Sequence, residues 1–280
     1  MITIKIYELN PVMKNYIWGY EIWALAAHKD GDCEVINNNI TLSQLLKPQA
    51  LPVMIKIIKS NLPLSVQVHP DDDYAMRVEH DSGKTEMWHI LDCEPDAFLY
   101  LGFNNNYTRD EIANAIKNNN LISKLNKIKV HKGDAFYIPA GTVHSIGGGI
   151  LLAETQQNSN ITYRVYDYNR LGADGKPREL HIAKALDVMN LNFNNNYKIP
   201  DSAKFKSQVL KLNSGDNLEL DNKDFAFMSI ILLSGEAELN LKTLTQYHAV
   251  LIINADADNK NNNLTLSSGK LDAEILVTYF

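Results

Sequence analysis

The chain has 280 residues, of which 45% are apolar and 21% are charged. These proportions exclude a wholly disordered chain, and the length allows one large domain or two of ordinary size. The net charge of −6 argues against a nucleic-acid or anionic-membrane surface, because both need clustered positive charge. No apolar run approaches the roughly 18 residues of a membrane span, and the chain starts without a signal-peptide pattern. Its two cysteines form no metal or disulfide pattern, so we expect a cytoplasmic protein.

Short segments rich in β-branched and aromatic residues dominate the middle of the chain. They predict strands at Val53–Ile58, Leu64–Val68, Met87–Leu91, Ala97–Leu101, Lys129–Val130, Ala135–Ile138, Ile150–Glu154 and Thr162–Tyr166. Between these strands, Thr108 and Glu111 form the capping-box pattern of a helix start. We therefore predict a small helical insertion near residues 108–126.

The last third of the chain has a similar strand pattern after a helix and a linker. Arg178–Met189 has apolar residues near helical spacing, and the polar stretch 191–200 reads as a linker. The strands predicted beyond it are Phe205–Leu212, Asn217–Leu220, Phe225–Leu232, Ala237–Leu241, His248–Ile253, Asn263–Leu266 and Ala273–Tyr279. Many short strands at close spacing are typical of sandwiches and jelly rolls. We expect a mainly-β protein with two barrel-like lobes, at 1–190 and 201–280, and a helical connector.

Polar residues alternate with apolar ones in the segment Leu64–His69. On a strand, Ser65, Gln67 and His69 would share one face, since alternate side chains point the same way. Inside a barrel such a row is costly unless a metal or a polar ligand satisfies it. A solvated outer face with a chance histidine is the alternative.

Two further segments carry ligand-type residues. In Gly83–Trp88, Glu86 enters an apolar strand, and Lys84 shares its face if the strand begins that early. A turn lysine and a rim glutamate would be the ordinary reading. The segment Gly133–His144 fits the spacing G-x5-P-x-G-x2-H, which is the second motif of the cupin superfamily, although Gly148 replaces its usual trailing asparagine.

A cupin barrel holds one metal with ligands from its two motifs. In this sequence the implied ligands are Gln67, His69 and Glu86 from the first motif and His144 from the second. Two histidines, one carboxylate and one neutral oxygen donor suit a zinc site with exchangeable positions. The remaining histidines are predicted to be loop, strand-surface or helix-packing groups.

Taken together, the motifs resemble those of the type I mannose-6-phosphate isomerase family. The matching runs are Tyr16–Gly19, Ser65–Asp72, Gly83–Trp88, Pro139–His144, Tyr163–Arg170 and Arg178–Leu186. They cover residues 10–190 well, whereas the C-terminal third matches only in layout and shows no ligand set. The stretch Ile22–Leu25 departs from the family, whose members usually have a Trp-Glu pair there. The resemblance implies two cupin-like jelly-roll lobes, of which the first is catalytic and the second degenerate.

The resemblance also implies an activity, a metal and a set of site residues. The reaction is the interconversion of mannose 6-phosphate and fructose 6-phosphate through a cis-enediolate, with one zinc or other divalent ion per chain. Arg164, at the position of the family's active-site arginine, and Lys84 are implied to be both catalytic and substrate-binding. Ser65 is a further substrate contact, and Glu154 is the first candidate for proton transfer. The implied partner is a small sugar phosphate, and the chain is expected to be a monomer or a homodimer.

Two other functions remain open from the sequence. The first is a cupin non-haem iron dioxygenase, because two histidines and one carboxylate are also the ligands of that class. The second is a non-catalytic cupin that binds a sugar phosphate. Lys84 and Arg164 favour a phosphosugar over an oxygenase substrate, since an oxygenase has no general need of two cations. Metal content and an assay with mannose 6-phosphate discriminate among the three.

Overall fold

The computed structural model describes residues 4–172, 175–194, 196–197, 204–220, 225–254 and 264–280. It confirms the mainly-β prediction. The chain forms two compact units. The terminal unit comprises Met1–Met13, Ile22–Ile57 and Asp201–Phe280, and the central unit comprises Lys14–Glu21 and Ile58–Pro200. The residues predicted to form one domain over 1–190 are thus divided between the two units.

The strands of the described chain are, in order, β1 (Lys5–Asn10), β2 (Val12–Tyr16), β3 (Gly19–Leu25), β4 (Ala27–His28), β5 (Gly31–Asp32), β6 (Glu34–Val35), β7 (Ile40–Thr41), β8 (Val53–Ser60), β9 (Val66–Val68), β10 (Glu86–Cys93), β11 (Phe98–Phe103), β12 (Leu125–Lys129), β13 (Ala135–Ile138), β14 (His144–Ile146), β15 (Ile150–Gln157), β16 (Tyr163–Tyr166), β17 (Lys206–Leu212), β18 (Asn217–Leu220), β19 (Phe227–Ser234), β20 (Ala237–Leu239), β21 (Lys242–Thr243), β22 (Ala249–Ile253), β23 (Leu264–Ser268) and β24 (Ala273–Tyr279). The α-helices are α1 (Leu42–Leu46), α2 (Asp72–Glu79), α3 (Arg109–Lys117) and α4 (Ile182–Val188), and a 3-10 helix spans Leu121–Lys124.

The terminal unit contains, among its described residues, two sheets with a shared core. The larger sheet has the strand order β17-β24-β19-β22-β1-β6-β7, and the smaller has the order β18-β23-β20-β21. Apolar residues of both sheets pack together, among them Ile230 and Ile275 from the first and Leu239 and Leu266 from the second. This pairing of sheets over an apolar core is the layered arrangement expected of a jelly-roll lobe.

The central unit is also built from layered sheets. One sheet has the order β12-β11-β14-β9-β16, and its neighbouring strands are antiparallel. The other contains β10 between β13 and β15, again antiparallel. Leu99 and Ile146 of the first sheet share a buried core with Trp88, Ile138 and Leu152 of the second. The segments that contain the site motifs therefore face one another across a packed interior.

The helices of the central unit follow local capping signals. Thr108 and Glu111 form the predicted capping box, and α3 begins at the next residue. Asp71 caps α2, which was not predicted, and this helix ends at Glu79, followed by His80 as a C-cap in the left-handed conformation. The helix predicted over Arg178–Met189 begins only at Ile182. Its start is wrong because the backbone N–H of His181 donates to the Arg164 carbonyl at 2.7 Å, which keeps that segment beside β16.

Some predicted segments lie partly outside the described residues. These are the linker at 191–200, of which 195 and 198–200 are not described, and the first residue of the strand predicted at Asn263–Leu266. In the described part of the chain, no helix has both the length and the apolar character needed to cross a membrane.

Candidate metal centre and active site

One row of polar residues crosses the five-stranded sheet of the central unit. Gln67 on β9 lies opposite His144 on β14 and, on its other side, opposite Arg164 on β16. Directly opposite residues of antiparallel strands place their side chains on the same face. His69 lies two residues beyond Gln67, so strand alternation turns it to the same side. The polar face predicted for Ser65, Gln67 and His69 is therefore turned inward, and all three are buried or half-buried.

The facing sheet contributes the acidic residues. On β10, Glu86 lies opposite Gln156 of β15, and Trp88 lies opposite Glu154. The Trp88 indole Nε1–H donates to Glu154 Oε2 at 2.8 Å. These side chains are buried, and the indole hydrogen bond fixes one oxygen of the Glu154 carboxylate.

Three ligand-type side chains converge between the two sheets. His69 Nε2 is 3.3 Å from Glu86 Oε1, and His144 Nε2 is 3.5 Å from Glu86 Oε2. The ligand atoms of the three residues lie within 4.8 Å of one another, and all three side chains are at most 1% exposed. Glu86 Oε2 has no hydrogen-bond partner among the described residues. A buried carboxylate oxygen without a partner is costly, so a cation is the natural occupant of this point.

Backbone carbonyls set the tautomer of both histidines. His69 Nδ1 lies 2.7 Å from the Ile161 carbonyl oxygen, and His144 Nδ1 lies 2.8 Å from the Thr142 carbonyl oxygen. Because a carbonyl only accepts, the Nδ1 atoms are the donors, and each Nε2 presents its lone pair toward Glu86. Burial, together with the charge of Lys84, lowers the pKa of His69 to about 3 and also lowers that of His144. Both rings are therefore neutral near pH 7, which is the form that binds a metal.

Lys84 lies at the centre of the charged groups. Its ammonium contacts Glu86 Oε1, lies 3.3 Å from His69 Nε2 and is 3.9 Å from Glu154 Oε1. Burial alone would raise the pKa of Glu86, but the charge of the neighbouring Lys84 opposes burial, and this pKa lies well below its usual value. Glu86 is therefore an ionised carboxylate, as a metal ligand must be.

Gln67 lies beside the cluster with its terminal amide toward His144. Gln67 Nε2 is 3.4 Å from His144 Nε2, and Ser65 Oγ donates to Gln67 Oε1 at 3.4 Å. Rotating the terminal amide by half a turn exchanges the nitrogen and the oxygen, which are assigned from such contacts. After this exchange the oxygen would lie on the histidine side, where a neutral donor to a metal is needed.

Arg164 is joined to this set through Ser65. Arg164 Nε donates to Ser65 Oγ at 3.3 Å, and its Nη1 donates to the Glu179 carbonyl at 2.9 Å. Burial and the charge of Arg178 lower the pKa of Arg164, but a guanidinium remains protonated throughout the range of protein stability. The structure thus brings together all the predicted site residues in one contact network, namely Ser65, Gln67, His69, Lys84, Glu86, His144, Glu154 and Arg164.

Other groups at the site had not been predicted from the sequence. The carbonyls of Thr142 and Ile161 leave no side-chain signature, so no residue pattern could have indicated them. The indole of Trp88 could have been found, because it lies two residues after Glu86 and so shares its face. Asp167, which contacts two arginines near Arg164, follows β16 by one residue and was visible only as a member of the Tyr163–Arg170 run.

The donor set fits a divalent metal ion. Two neutral imidazoles and one ionised carboxylate, all buried, are typical of catalytic zinc sites that leave a coordination position for water or substrate. Both imidazoles also make the second hydrogen bond that commonly orients a metal-binding histidine. The fit rests on these three residues, and Gln67 can provide a fourth donor after the amide exchange.

Comparison with known proteins identifies the relatives of the chain. No family model matches it. It is 42% identical over 212 residues to the mannose-6-phosphate isomerase ManA of Bacillus subtilis (strain 168), and the match covers 65% of this chain and 67% of that protein. It matches the crystal structure of a mannose 6-phosphate isomerase from Bacillus subtilis with a TM-score of 0.86 and 27% identity, covering 98% and 99% of the two chains.

A zinc-bound mannose 6-phosphate isomerase is a more distant structural neighbour. Its TM-score is 0.70 at 12% identity, with 98% of this chain and 99% of that chain covered, so the two share a fold. The sequence match to ManA covers two thirds of that relative, and the fold agrees over nearly the whole length of the Bacillus subtilis structure. This chain therefore belongs to the mannose-6-phosphate isomerase family.

Proposed function

We propose that this protein is a metal-dependent aldose–ketose isomerase that interconverts mannose 6-phosphate and fructose 6-phosphate. The observation that carries the proposal is the buried group of His69, Glu86 and His144, with neutral histidines and an ionised carboxylate, adjoining Lys84 and Glu154. The names of the relatives agree with this activity. The site has the parts that such a reaction needs, which are a metal position, a proton acceptor and a fixed cation.

Zinc is the metal that we propose. We propose that His69, Glu86 and His144 hold the zinc ion and that Gln67 is its fourth ligand. When bound, a divalent ion supplies Lewis acidity at the sugar oxygens where negative charge develops in the enediolate. The protein holds the imidazoles in the required tautomer through two backbone carbonyls, so the site is prepared before the metal arrives.

The isomerisation moves one proton between neighbouring carbons of the open-chain sugar. We assign this transfer to Glu154, whose Oε2 is held by the Trp88 indole while Oε1 faces Lys84 at 3.9 Å. A fixed carboxylate can take a proton from one carbon at Oε1 and return it to the next without leaving its position. Lys84, which carries the only ammonium in this group of described residues, would donate hydrogen bonds to sugar oxygens and assist ring opening.

Arg164 is the second cation that we assign to the reaction. Its planar guanidinium can hold two anionic oxygens at once, which suits an enediolate or a phosphate. Its Nη2 makes no protein hydrogen bond among the described residues, so this end is available to the substrate. Ser65, which accepts from Arg164 Nε, is the proposed hydroxyl contact to phosphate.

The function is tested with purified protein and mannose 6-phosphate. Formation of fructose 6-phosphate is followed by coupling to the reduction of NADP, before chelation, after chelation and after addition of zinc. We expect activity to disappear on chelation and to return with zinc. Full activity in metal-free protein contradicts the proposal of metal dependence. Binding of the sugar phosphate without turnover would instead identify a non-catalytic binding protein.

The same preparation discriminates against the oxygenase. An iron dioxygenase would consume oxygen and lose activity when zinc replaces iron, whereas the isomerase needs no oxygen. Lys84 and Arg164 favour the isomerase, because an anionic sugar phosphate and its enediolate need nearby positive charge. We also propose a cytoplasmic location and a monomeric or homodimeric state, for which light scattering of the purified protein is the direct test.

A further inference from the structure

A buried carboxylate joins two arginines close to Arg164. Asp167 is 6% exposed, and Arg178 Nε donates to its Oδ2 at 2.7 Å while Arg178 Nη2 donates to its Oδ1. Arg170 Nη2 donates to the same Oδ1 at 2.7 Å. Burial alone would raise the pKa of Asp167, but the hydrogen bonds and charges of Arg178 and Arg170 outweigh burial and lower it. Asp167 is therefore ionised near pH 7 and accepts three charge-assisted hydrogen bonds.

The Arg170 arm extends from Asp167 to the segment that precedes β9. While Nη2 binds Asp167, Arg170 Nη1 donates to the Pro63 carbonyl at 2.6 Å. Pro63 lies two residues before Ser65, and Ser65 Oγ is the acceptor for Arg164 Nε. The backbone that presents the Ser65 hydroxyl is thus tied to Asp167 through one guanidinium.

The Arg178 arm extends to the other acceptor of Arg164. Arg178 directly precedes Glu179, and the Glu179 carbonyl accepts from Arg164 Nη1 at 2.9 Å. A guanidinium held on both carboxylate oxygens of Asp167 restrains the chain segment that carries Glu179. Both hydrogen-bond acceptors of the Arg164 guanidinium are therefore located by arginines that share a single carboxylate.

We infer that Asp167 is the positioning residue for Arg164, acting through Arg170 and Arg178. This inference rests on the proposed role of Arg164 in the isomerase reaction. With Nε and one N–H of Nη1 fixed, the guanidinium can turn only its remaining N–H groups to anionic oxygens of the substrate. Asp167 also offsets the repulsion among three neighbouring guanidinium groups, which would otherwise drive them apart.

The first test is the variant Asp167→Asn, which keeps the size of the side chain but loses its charge. We expect kcat to fall about tenfold or more at unchanged zinc content, because displacement of a reacting or stabilising group by about 1 Å can cost up to 10²-fold. The variant Arg164→Lys, which keeps the charge but loses the planar fork, should lower the same constant, kcat. The matched control is Asp187→Asn, which breaks the more exposed ion pair with Arg109 in the same unit and should leave kcat unchanged.

A double-mutant cycle separates positioning from general stability. In the Arg164→Lys background, Asp167→Asn should change kcat/KM by less than about twofold, because residues that act as a unit are not additive. The same fall in both backgrounds would overturn the inference. If Asp167→Asn does not fold, Arg178→Lys replaces it in the cycle, since this change keeps the charge and loses the fork.

A spectroscopic readout keeps the inference separate from the proposed function. The Nε–H signal of Arg164 in arginine-labelled protein is assigned by its absence in Arg164→Lys. We expect slow hydrogen exchange of this signal in the wild type and in Asp187→Asn, and fast exchange in Asp167→Asn. Unchanged exchange in folded Asp167→Asn would overturn the inference. If the wild type does not isomerise mannose 6-phosphate, the function proposal fails while the exchange comparison still decides the role of Asp167.

Discussion

At the scale of single residues, His144 tests the proposed metal site directly. Its side chain is 1% exposed, yet its Nε2 faces Glu86 instead of an apolar neighbour. We expect His144→Ala to lose zinc, because the variant lacks one proposed ligand. The fold should be kept, because the imidazole faces the ligand group and not the apolar core. Zinc per chain is measured after dialysis, together with a thermal melt.

The control for this variant is His131→Ala, since the His131 side chain is largely exposed and its Nδ1 lies 3.6 Å from Asp134 Oδ2, which is not a proposed ligand. It should retain the zinc content of the wild type. An His144→Ala protein that still holds one zinc ion would contradict the ligand assignment.

Arg164 gives a second expectation at this scale. Arg164→Lys keeps the charge but cannot reproduce the planar fork. We expect kcat to fall by about 10²-fold or more, the scale observed when one preorganised charge-stabilising donor is removed. Zinc content should remain normal, since Arg164 is not a proposed ligand. Steady-state kinetics on zinc-loaded protein is the measurement, and a normal kcat with only a raised KM would move Arg164 to phosphate binding.

Individual site residues differ in how well their sequence context predicts them. The period of two in Leu64–His69 is sufficient to place Ser65, Gln67 and His69 on one face. Glu86 and His144 lie on two different sheets, so no local pattern shows that they converge. Only the spacing of the motifs indicated that both belong to one site. The contacts of Asp167 could not be predicted, since Arg170 and Arg178 meet it only in the folded chain and no local pattern relates the three residues.

At the scale of elements, Glu79 joins α2 to β16 and α4. Its Oε1 accepts from the Tyr163 hydroxyl at 2.8 Å and from Lys184 Nζ at 2.7 Å. The hydrogen bond from Lys184 lowers the pKa of Glu79 and outweighs the opposing effect of burial. The ionised carboxylate therefore stabilises the folded state above the ordinary pKa of about 4.5, and this contribution is lost as the pH falls through the lowered value.

We accordingly expect Glu79→Gln to reduce the free energy of unfolding by about 1 kcal/mol at pH 7, the scale of a partly exposed charged hydrogen bond. The difference from the wild type should be smaller at pH 4, because the wild-type carboxylate then begins to protonate. Urea denaturation at the two pH values is the measurement. Glu219→Gln, on an exposed position of β18, is the control, and an equal difference at both pH values would contradict the expectation.

The elements themselves were predictable where local signals decide them. The capping box of Thr108 and Glu111 placed α3 to within one residue, because both halves of the box act within one turn. The start of α4 was wrong, because His181 uses its backbone N–H on Arg164, a contact between segments that a helical pattern does not contain. Helix α2 was missed, although Asp71 with two further aspartates is a readable N-terminal signal.

At the scale of the whole molecule, the metal should be linked to stability. The proposed ligands all lie in the central unit, and they come from three different strands or their ends. We expect free zinc at 100 times its dissociation constant to add about 2.7 kcal/mol to the free energy of unfolding. For a unit of this size, that corresponds to a rise in melting temperature of about 5–10 °C.

Differential scanning calorimetry with and without zinc checks this linkage. His144→Ala is the control, since it should show a much smaller shift at the same zinc concentration. A wild-type melting temperature that does not change with zinc would contradict a metal site formed only in the folded chain.

The grouping of the first strands with the last was beyond prediction from the sequence. In the terminal unit, Lys5 of β1 pairs with Ile253 of β22, and Glu8 pairs with Val250. These partners are separated by nearly the full chain, so no local pattern relates them. Most strands after residue 50 follow from composition and turn spacing, whereas β1–β7 were not predicted. The choice of partners depends on which apolar faces meet in the folded state.

The carbonyls that orient His69 and His144 have a consequence for how this protein tolerates change over evolutionary time. A main-chain oxygen persists whatever side chain is attached, so substitutions at Thr142 or Ile161 can leave the imidazole orientation intact. Replacements at these two positions are limited by the burial of Thr142 and the apolar packing of Ile161, and not by the orientation of the imidazoles. The tautomer of each histidine is set by the position of the main chain and not by a side chain. A comparison of aligned residue identities would therefore not detect it.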